Sequence, residues 1–152
     1  MQRLKTHSQF RAVLAGPRIS SSAHFVLHQC DLKKIGLQTL HPIAHDGGTR
    51  TTEAASSLHE SVMGAMVPKR WVKRAVTRNM IKRQIYNVGD LAASALPPAA
   101  YVVRLRAGFD RRLFVSASSI VLKRVVRQEL MALFSVARRL GNGSGCVSAR
   151  QP

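Results

Sequence analysis

The sequence predicts a single α+β domain, and three observations carry that prediction. Its 152 residues suffice for one hydrophobic core but not for two well-built ones. Short runs in which apolar residues alternate are interleaved with longer runs in which they recur every three or four positions. Between these runs stand turn-forming pairs such as Gly16-Pro17 and Pro97-Pro98. The expected organisation is a domain over residues 1–140, interrupted by a loop or insertion at about 31–61 and followed by a flexible tail over 141–152.

The first element is a short amphipathic helix over residues 3–14. Leu4, Phe10, Val13 and Leu14 form its apolar side, Ser8 is a possible cap, and Gly16-Pro17 stops it. Residues 24–28 read as a strand, with His24, Val26 and His28 on one face and Phe25 and Leu27 on the other. Residues 31–61 mix Gly, Ser, Thr, His and Ala without sustained periodicity, so a loop is expected. The run from Val62 to Val67 is short, apolar and closed by Pro68, which suits a buried strand. A helix follows, then a Leu96-Pro97-Pro98 turn and a strand over residues 101–106 ending at Gly108. Leu122, Val126, Leu130, Leu133, Phe134 and Ala137 mark the core-facing stripe of a final helix. The glycine-rich stretch beginning at Gly141 has neither the flanking elements nor the Lys-Ser/Thr ending of a phosphate loop.

Lys plus Arg total 24 against 7 Asp plus Glu, a formal net charge of +17, which points to a polyanionic partner, nucleic acid first. No apolar run approaches a membrane span, and Gln2, Arg3, Lys5, His7 and Arg11 break any signal-peptide core. The acid-free first thirty residues also have the composition of a transit peptide. Cys30 and Cys146 form no paired motif, so a reduced, cytoplasmic setting is expected rather than a disulfide framework. His41 and His45 have a spacing found in metal sites, with Cys30 and His59 nearby in sequence. Without a second Cys pair, loop histidines are the simpler reading, and no metal site is assigned.

Charge becomes specific in the second helix. Lys69, Arg70, Lys73, Arg74, Arg78, Lys82 and Arg83 follow one another with no acid between Glu60 and Asp90. On a helical projection Arg78, Asn79, Lys82, Arg83 and Tyr86 fall within an arc of about 140°, opposite Val76, Met80, Ile81 and Ile85. An ordinary solvated helix mixes signs, so a face that accepts like-charge repulsion is suited to phosphates.

The stretch Val67-Pro68-Lys69-Arg70-Trp71-Val72-Lys73-Arg74-Ala75-Val76-Thr77-Arg78-Asn79-Met80-Ile81-Lys82-Arg83 resembles the ribonuclease P protein family, in which an Arg-Asn-Arg motif precedes a Lys-Arg pair. Arg3-Leu4-Lys5, Ser8-Gln9-Phe10 and Val13-Leu14 are similar to the opening helix of that family, and Leu96-Pro97 to the turn before its last strand. Two positions depart from the pattern: Met80 replaces the motif's second Arg, and Tyr86 replaces an Arg one turn beyond the Lys-Arg pair. Met80 projects to the apolar side, whereas Tyr86 stays on the basic face, where its ring and hydroxyl suit a base or a phosphate.

The resemblance implies an α-β-β-β-α-β-α sandwich with a left-handed βαβ crossover, where physics alone favours a right-handed one. It implies a protein subunit that docks on a catalytic RNA through the Arg-Asn face. It also implies a cleft between sheet and first helix, lined here by Phe10, Leu14, Val26 and His28, that holds the 5′ leader of precursor tRNA. Leu14 and His28 replace aromatics common in that family, which weakens stacking. No cofactor is expected on the protein alone, with Mg²⁺ held mainly by RNA. Neither membrane nor DNA is an expected partner.

The seven acids Asp31, Asp46, Glu53, Glu60, Asp90, Asp110 and Glu129 are scattered, which argues against an independent two-metal nuclease. A ribosomal-type structural protein shares the charge but does not require the motif spacing. A helix-turn-helix DNA binder lacks the partner helix, because residues 62–67 read as strand.

Overall fold

The computed structural model describes residues 1–35, 61–114 and 119–142, with no account of the side chains of residues 141 and 142. Most of the expected insertion, residues 36–60, and the tail from residue 143 onward therefore lie outside the described residues. So do His41, His45, His59 and Cys146.

The alternating runs pair into one five-stranded mixed sheet. Its strands are β1 (Gln2–Arg3), β2 (Arg18–Ser21), β3 (Phe25–Cys30), β4 (Val62–Met66) and β5 (Ala100–Leu105), in spatial order β1-β4-β5-β3-β2. β4 runs parallel to β1 and β5, whereas β3 runs antiparallel to β5 and β2. Three α-helices stand among the described residues: α1 (His7–Leu14), α2 (Ala75–Ala92) and α3 (Ile120–Asn142). The parallel β4-α2-β5 unit uses an 18-residue helix as its crossover.

Period-two alternation divides the sheet's residues between two unequal faces. Phe25, Leu27, Met63, Ala65, Tyr101, Val103 and Leu105 point to the face covered by α2 and α3. There they meet Ile81 and Ile85 of α2 and the predicted stripe of α3, from Leu122 to Ala137, all buried. Each large apolar side chain sealed in this layer contributes about 1.5–3 kcal/mol, which makes it the main source of stability.

On the other face, Val62, Ala100, Val102 and Cys30 pack with Leu4 and Val13 under α1. Gly64 lies beneath the Phe10 ring, which occupies the space that a Cβ there would need. With only eight residues, α1 is about 12 Å long and cannot roof five strands.

Four details differ from the sequence expectation. The first helix starts at His7, because Thr6 and Gln9 form a capping box. Thr6 Oγ1 accepts from the Gln9 amide, and Gln9 Oε1 accepts from the Lys5 and Thr6 amides at 3.1 and 3.2 Å. Ser8 is not the cap, and Arg3 instead pairs with Met63 in β1. Arg18–Ser21 adds an edge strand that periodicity did not indicate, its sequence being short and largely polar. Val76, projected to the apolar side, is 60% exposed, because it stands at the mouth of an open groove between α2 and α3.

One acid ties the α3 layer to the β2–β3 turn. Glu129 Oε1 accepts from Ser22 Oγ at 2.5 Å and from the His24 amide at 2.6 Å, while Oε2 meets His24 Nδ1 at 2.9 Å. The His24 ring is in turn stacked on Phe109 at 4.2 Å. Burial pushes the Glu129 pKa up, but these hydrogen bonds and the histidine's charge outweigh it and leave the carboxyl below its ordinary value. A lowered folded-state pKa stabilises the fold above the unfolded value of 4.5, and that stabilisation is lost as pH falls through the folded value. Glu129→Gln is expected to cost about 1–2 kcal/mol at pH 7 and to flatten the acid limb of a stability-versus-pH curve measured by urea unfolding. An unchanged acid limb would contradict this role.

Candidate nucleic-acid interface

The segment leading into α2 is folded by two backbone bonds, from the Trp71 and Val72 amides to the Pro68 carbonyl at 3.2 and 3.3 Å. Val72 is thereby buried, and Lys69, Arg70, Lys73 and Arg74 are left exposed around it. Arg74 stands at the N-cap without a side-chain cap, and the first turn of α2 holds no acid. The unsatisfied N–H groups there carry partial positive charge, so the cationic side chains add to the helix dipole instead of opposing it. An external anion is the natural counterweight.

Along α2, Asn79, Lys82 and Arg83 are exposed and face solvent together, as the projection predicts. Among the described residues the ion pairs are Met1 with Asp90 and His24 with Glu129, and neither uses a cation of this face. Two predicted members are engaged internally. Arg78 is half-buried, and its Nη1 donates to the carbonyls of Val72 and Lys73 at 3.1 and 2.6 Å. Its guanidinium thus fixes the loop that carries the other cations. Tyr86 is half-buried against the core, and the Arg3 guanidinium sits 4.2 Å from its ring centroid, covering one face. Met80 is buried, as its projection implies.

A second cationic surface lies on the sheet face that α1 fails to cover. It is a groove of about 330 Å³ lined by Val26, His28, Arg18, Arg70, Arg104 and Arg106. Strand register places Val26 opposite Arg104 and His28 opposite Arg18, so the cations and the apolar floor are cross-strand neighbours. Arg104 Nε is shut off from solvent without a hydrogen-bond partner. Burial lowers the His28 pKa, and the charges of Arg104 and Arg18 lower it further against the opposing pull of the Gly16 carbonyl. The imidazole is therefore neutral at pH 7 among four guanidinium groups.

The structure brings Val26 and His28 together in this groove, whereas Phe10 and Leu14 stay half-buried with the α1-side cluster on the same sheet face. Arg18, Arg104 and Arg106 were missed in the sequence. Their signal was the period-two placement of Arg104 within the apolar strand and Arg106 just beyond its end, which puts both charges on one face of the sheet. Arg70 belongs to both surfaces, since it also lies 5.2 Å from the Trp71 ring centroid at the start of the basic loop. Arg70 links the cations of the loop before α2 to those of the groove, where Val26 and the neutral His28, both buried, close the floor. No three His, Cys, Asp or Glu side chains converge to hold a metal among the described residues.

Comparison with known proteins identifies the family and matches the fold. The family model described as Ribonuclease P matches residues 1–138. The ribonuclease P protein component of Ralstonia pickettii is 29% identical over 150 residues, covering 99% of this chain and 89% of that protein. The corresponding protein of Bordetella parapertussis is 32% identical over 133 residues, 88% of this chain and 89% of its own length. In three dimensions the chain superposes on the Staphylococcus aureus RNase P protein with a TM-score of 0.59 at 17% identity, covering 90% of this chain and 95% of that one. No helix among the described residues is long and apolar enough to cross a membrane.

The groove's electrostatics can be read directly by NMR. The His28 titration midpoint is expected below 6.5 and should rise in Arg104→Gln, because removing a like charge favours the imidazolium. A midpoint unmoved by that substitution would mean that Arg104 does not act on the ring.

Proposed function

Since the chain belongs to the ribonuclease P protein family, we propose that it is the protein subunit of a ribonuclease P holoenzyme that removes the 5′ leader of precursor tRNA. The exposed cations of α2 and its preceding loop dock on the catalytic RNA. The arginine-lined groove holds the single-stranded leader. The observation that carries this reading is the junction at Arg70, which joins a helix face suited to a folded RNA backbone to a sheet face suited to a single strand.

The mechanism is electrostatic and positional. Two polyanions, catalytic RNA and precursor, repel each other, and a chain of net charge +17 placed between them lowers that repulsion. Lys69, Lys73, Arg74, Lys82 and Arg83 neutralise phosphates on the RNA side, while Arg78 acts behind them by holding the loop in shape. On the substrate side Arg18, Arg104 and Arg106 take leader phosphates, and Val26 and His28 form the floor. Mg²⁺ bound by the RNA would supply the chemistry of hydrolysis, and no side chain of the protein is assigned a part in it. The protein's share is tighter substrate binding and higher metal occupancy at low Mg²⁺, in the cytoplasm where precursors are made.

Reconstitution tests the reading. Precursor cleavage by the cognate catalytic RNA at low Mg²⁺ should be strongly stimulated by the protein, and protein alone should cleave nothing. Absence of stimulation would leave a structural RNA-binding protein, and cleavage by protein alone would make it a nuclease. Lys82→Ala should flatten the dependence of log affinity for the catalytic RNA on log salt by about one unit, as loss of one phosphate contact requires. An unchanged slope would remove α2 from the docking surface.

A further inference from the structure

A second groove, of about 430 Å³, runs between α2 and the start of α3 and is distinct from the sheet-face groove. Its chemistry differs from that of a plain basic face. Three carboxamides, Asn79, Gln84 and Asn87, line it together with Arg83 and Lys123, over an apolar floor at Met80. None of the three carboxamides is used in a hydrogen bond to another described residue. Asn79, Arg83 and Asn87 follow one another at i, i+4 and i+8, so they form one ridge along α2, with Gln84 on the adjacent ridge. Lys123 faces them from α3.

Each carboxamide offers a donor pair and an acceptor from one side chain; a phosphate can use only the donors, whereas the edge of a nucleobase uses both. Cations on both walls suit the phosphates on either side of such a base, and the exposed Val76 suits a ring face. Paired RNA cannot present a base edge and its ring face to one groove, whereas an unpaired residue can. Asn79 and Arg83 also belong to the exposed basic face, so whatever docks on α2 reaches this groove.

We propose that the α2–α3 groove receives one unpaired nucleotide of the catalytic RNA, its base read by Gln84 and Asn87 and its flanking phosphates held by Arg83 and Lys123. This rests on the reading that α2 docks on that RNA. The site adds register to a surface that otherwise binds backbone alone.

Chemical probing of the full-length catalytic RNA tests this, using 2′-hydroxyl acylation and dimethyl sulfate with and without protein. Wild-type protein should protect one nucleotide that is unpaired and reactive in the free RNA. The double variant Gln84→Ala/Asn87→Ala should restore reactivity at that nucleotide alone and weaken binding about tenfold, as loss of two base contacts implies. Lys123→Ala, made on the other helix, should weaken binding and flatten the salt dependence. The groove is overturned if both variants protect and bind like the wild type, or if the double variant loses protection across the whole docking surface. Failure of wild-type protein to bind the RNA at all is a separate outcome and would sink the underlying reading. Unchanged thermal melting of both variants establishes that folding is intact.

Discussion

The mismatch between an eight-residue helix and a five-stranded sheet governs this molecule. α2 and α3 close one face completely, so that face can supply the apolar burial on which folding depends. α1 closes only part of the other, held at its start by the Thr6–Gln9 capping box and ended by Gly16, where a side chain would collide with the Gln29 carbonyl. A longer helix would have given a larger core and no groove. The open remainder of the sheet is where guanidinium groups stand on strand positions that, in a fully covered sheet, would be apolar.

The second constraint is charge. The cations of α2, its loop and the groove face few described acids, and the tightest acid site, at Glu129, is spent on joining α3 to the β2–β3 turn. Self-repulsion therefore works against the compact state, and the closed apolar layer has to offset it. Arg78 illustrates the compromise: its charge adds to the basic face, but its guanidinium is occupied by two backbone carbonyls. Neutralisation by a polyanion relieves the repulsion, which couples the stability of this fold to its binding.

Much of this was legible in the sequence. The apolar stripe of α3, the strands at Val62 and Tyr101 and the division of α2 into basic and apolar sides follow from periodicity, because burial imposes it. The family resemblance, carried by the residues from Val67 to Arg83, is matched by a family model over residues 1–138. Less legible were features that depend on three-dimensional neighbours. Arg3 resting on Tyr86, Arg78 turned inward and Arg18 meeting Arg104 across β3 join residues distant in sequence or reverse an expected direction. The Thr6–Gln9 box was present as a spacing and was overlooked in favour of Ser8. β2 was hard to see because Ile19 is the one apolar residue in a four-residue edge strand, too few to show alternation.

In the proposed holoenzyme, two joined surfaces of this protein hold two different RNAs. Photoreactive groups attached singly at Lys82 on α2 and at Arg106 on the groove margin, in the assembled holoenzyme with precursor bound, test it most directly. The probe at position 82 is expected to crosslink the catalytic RNA, and the probe at position 106 nucleotides of the 5′ leader. Crosslinks from both positions to the same RNA, or to the opposite ones, would contradict it.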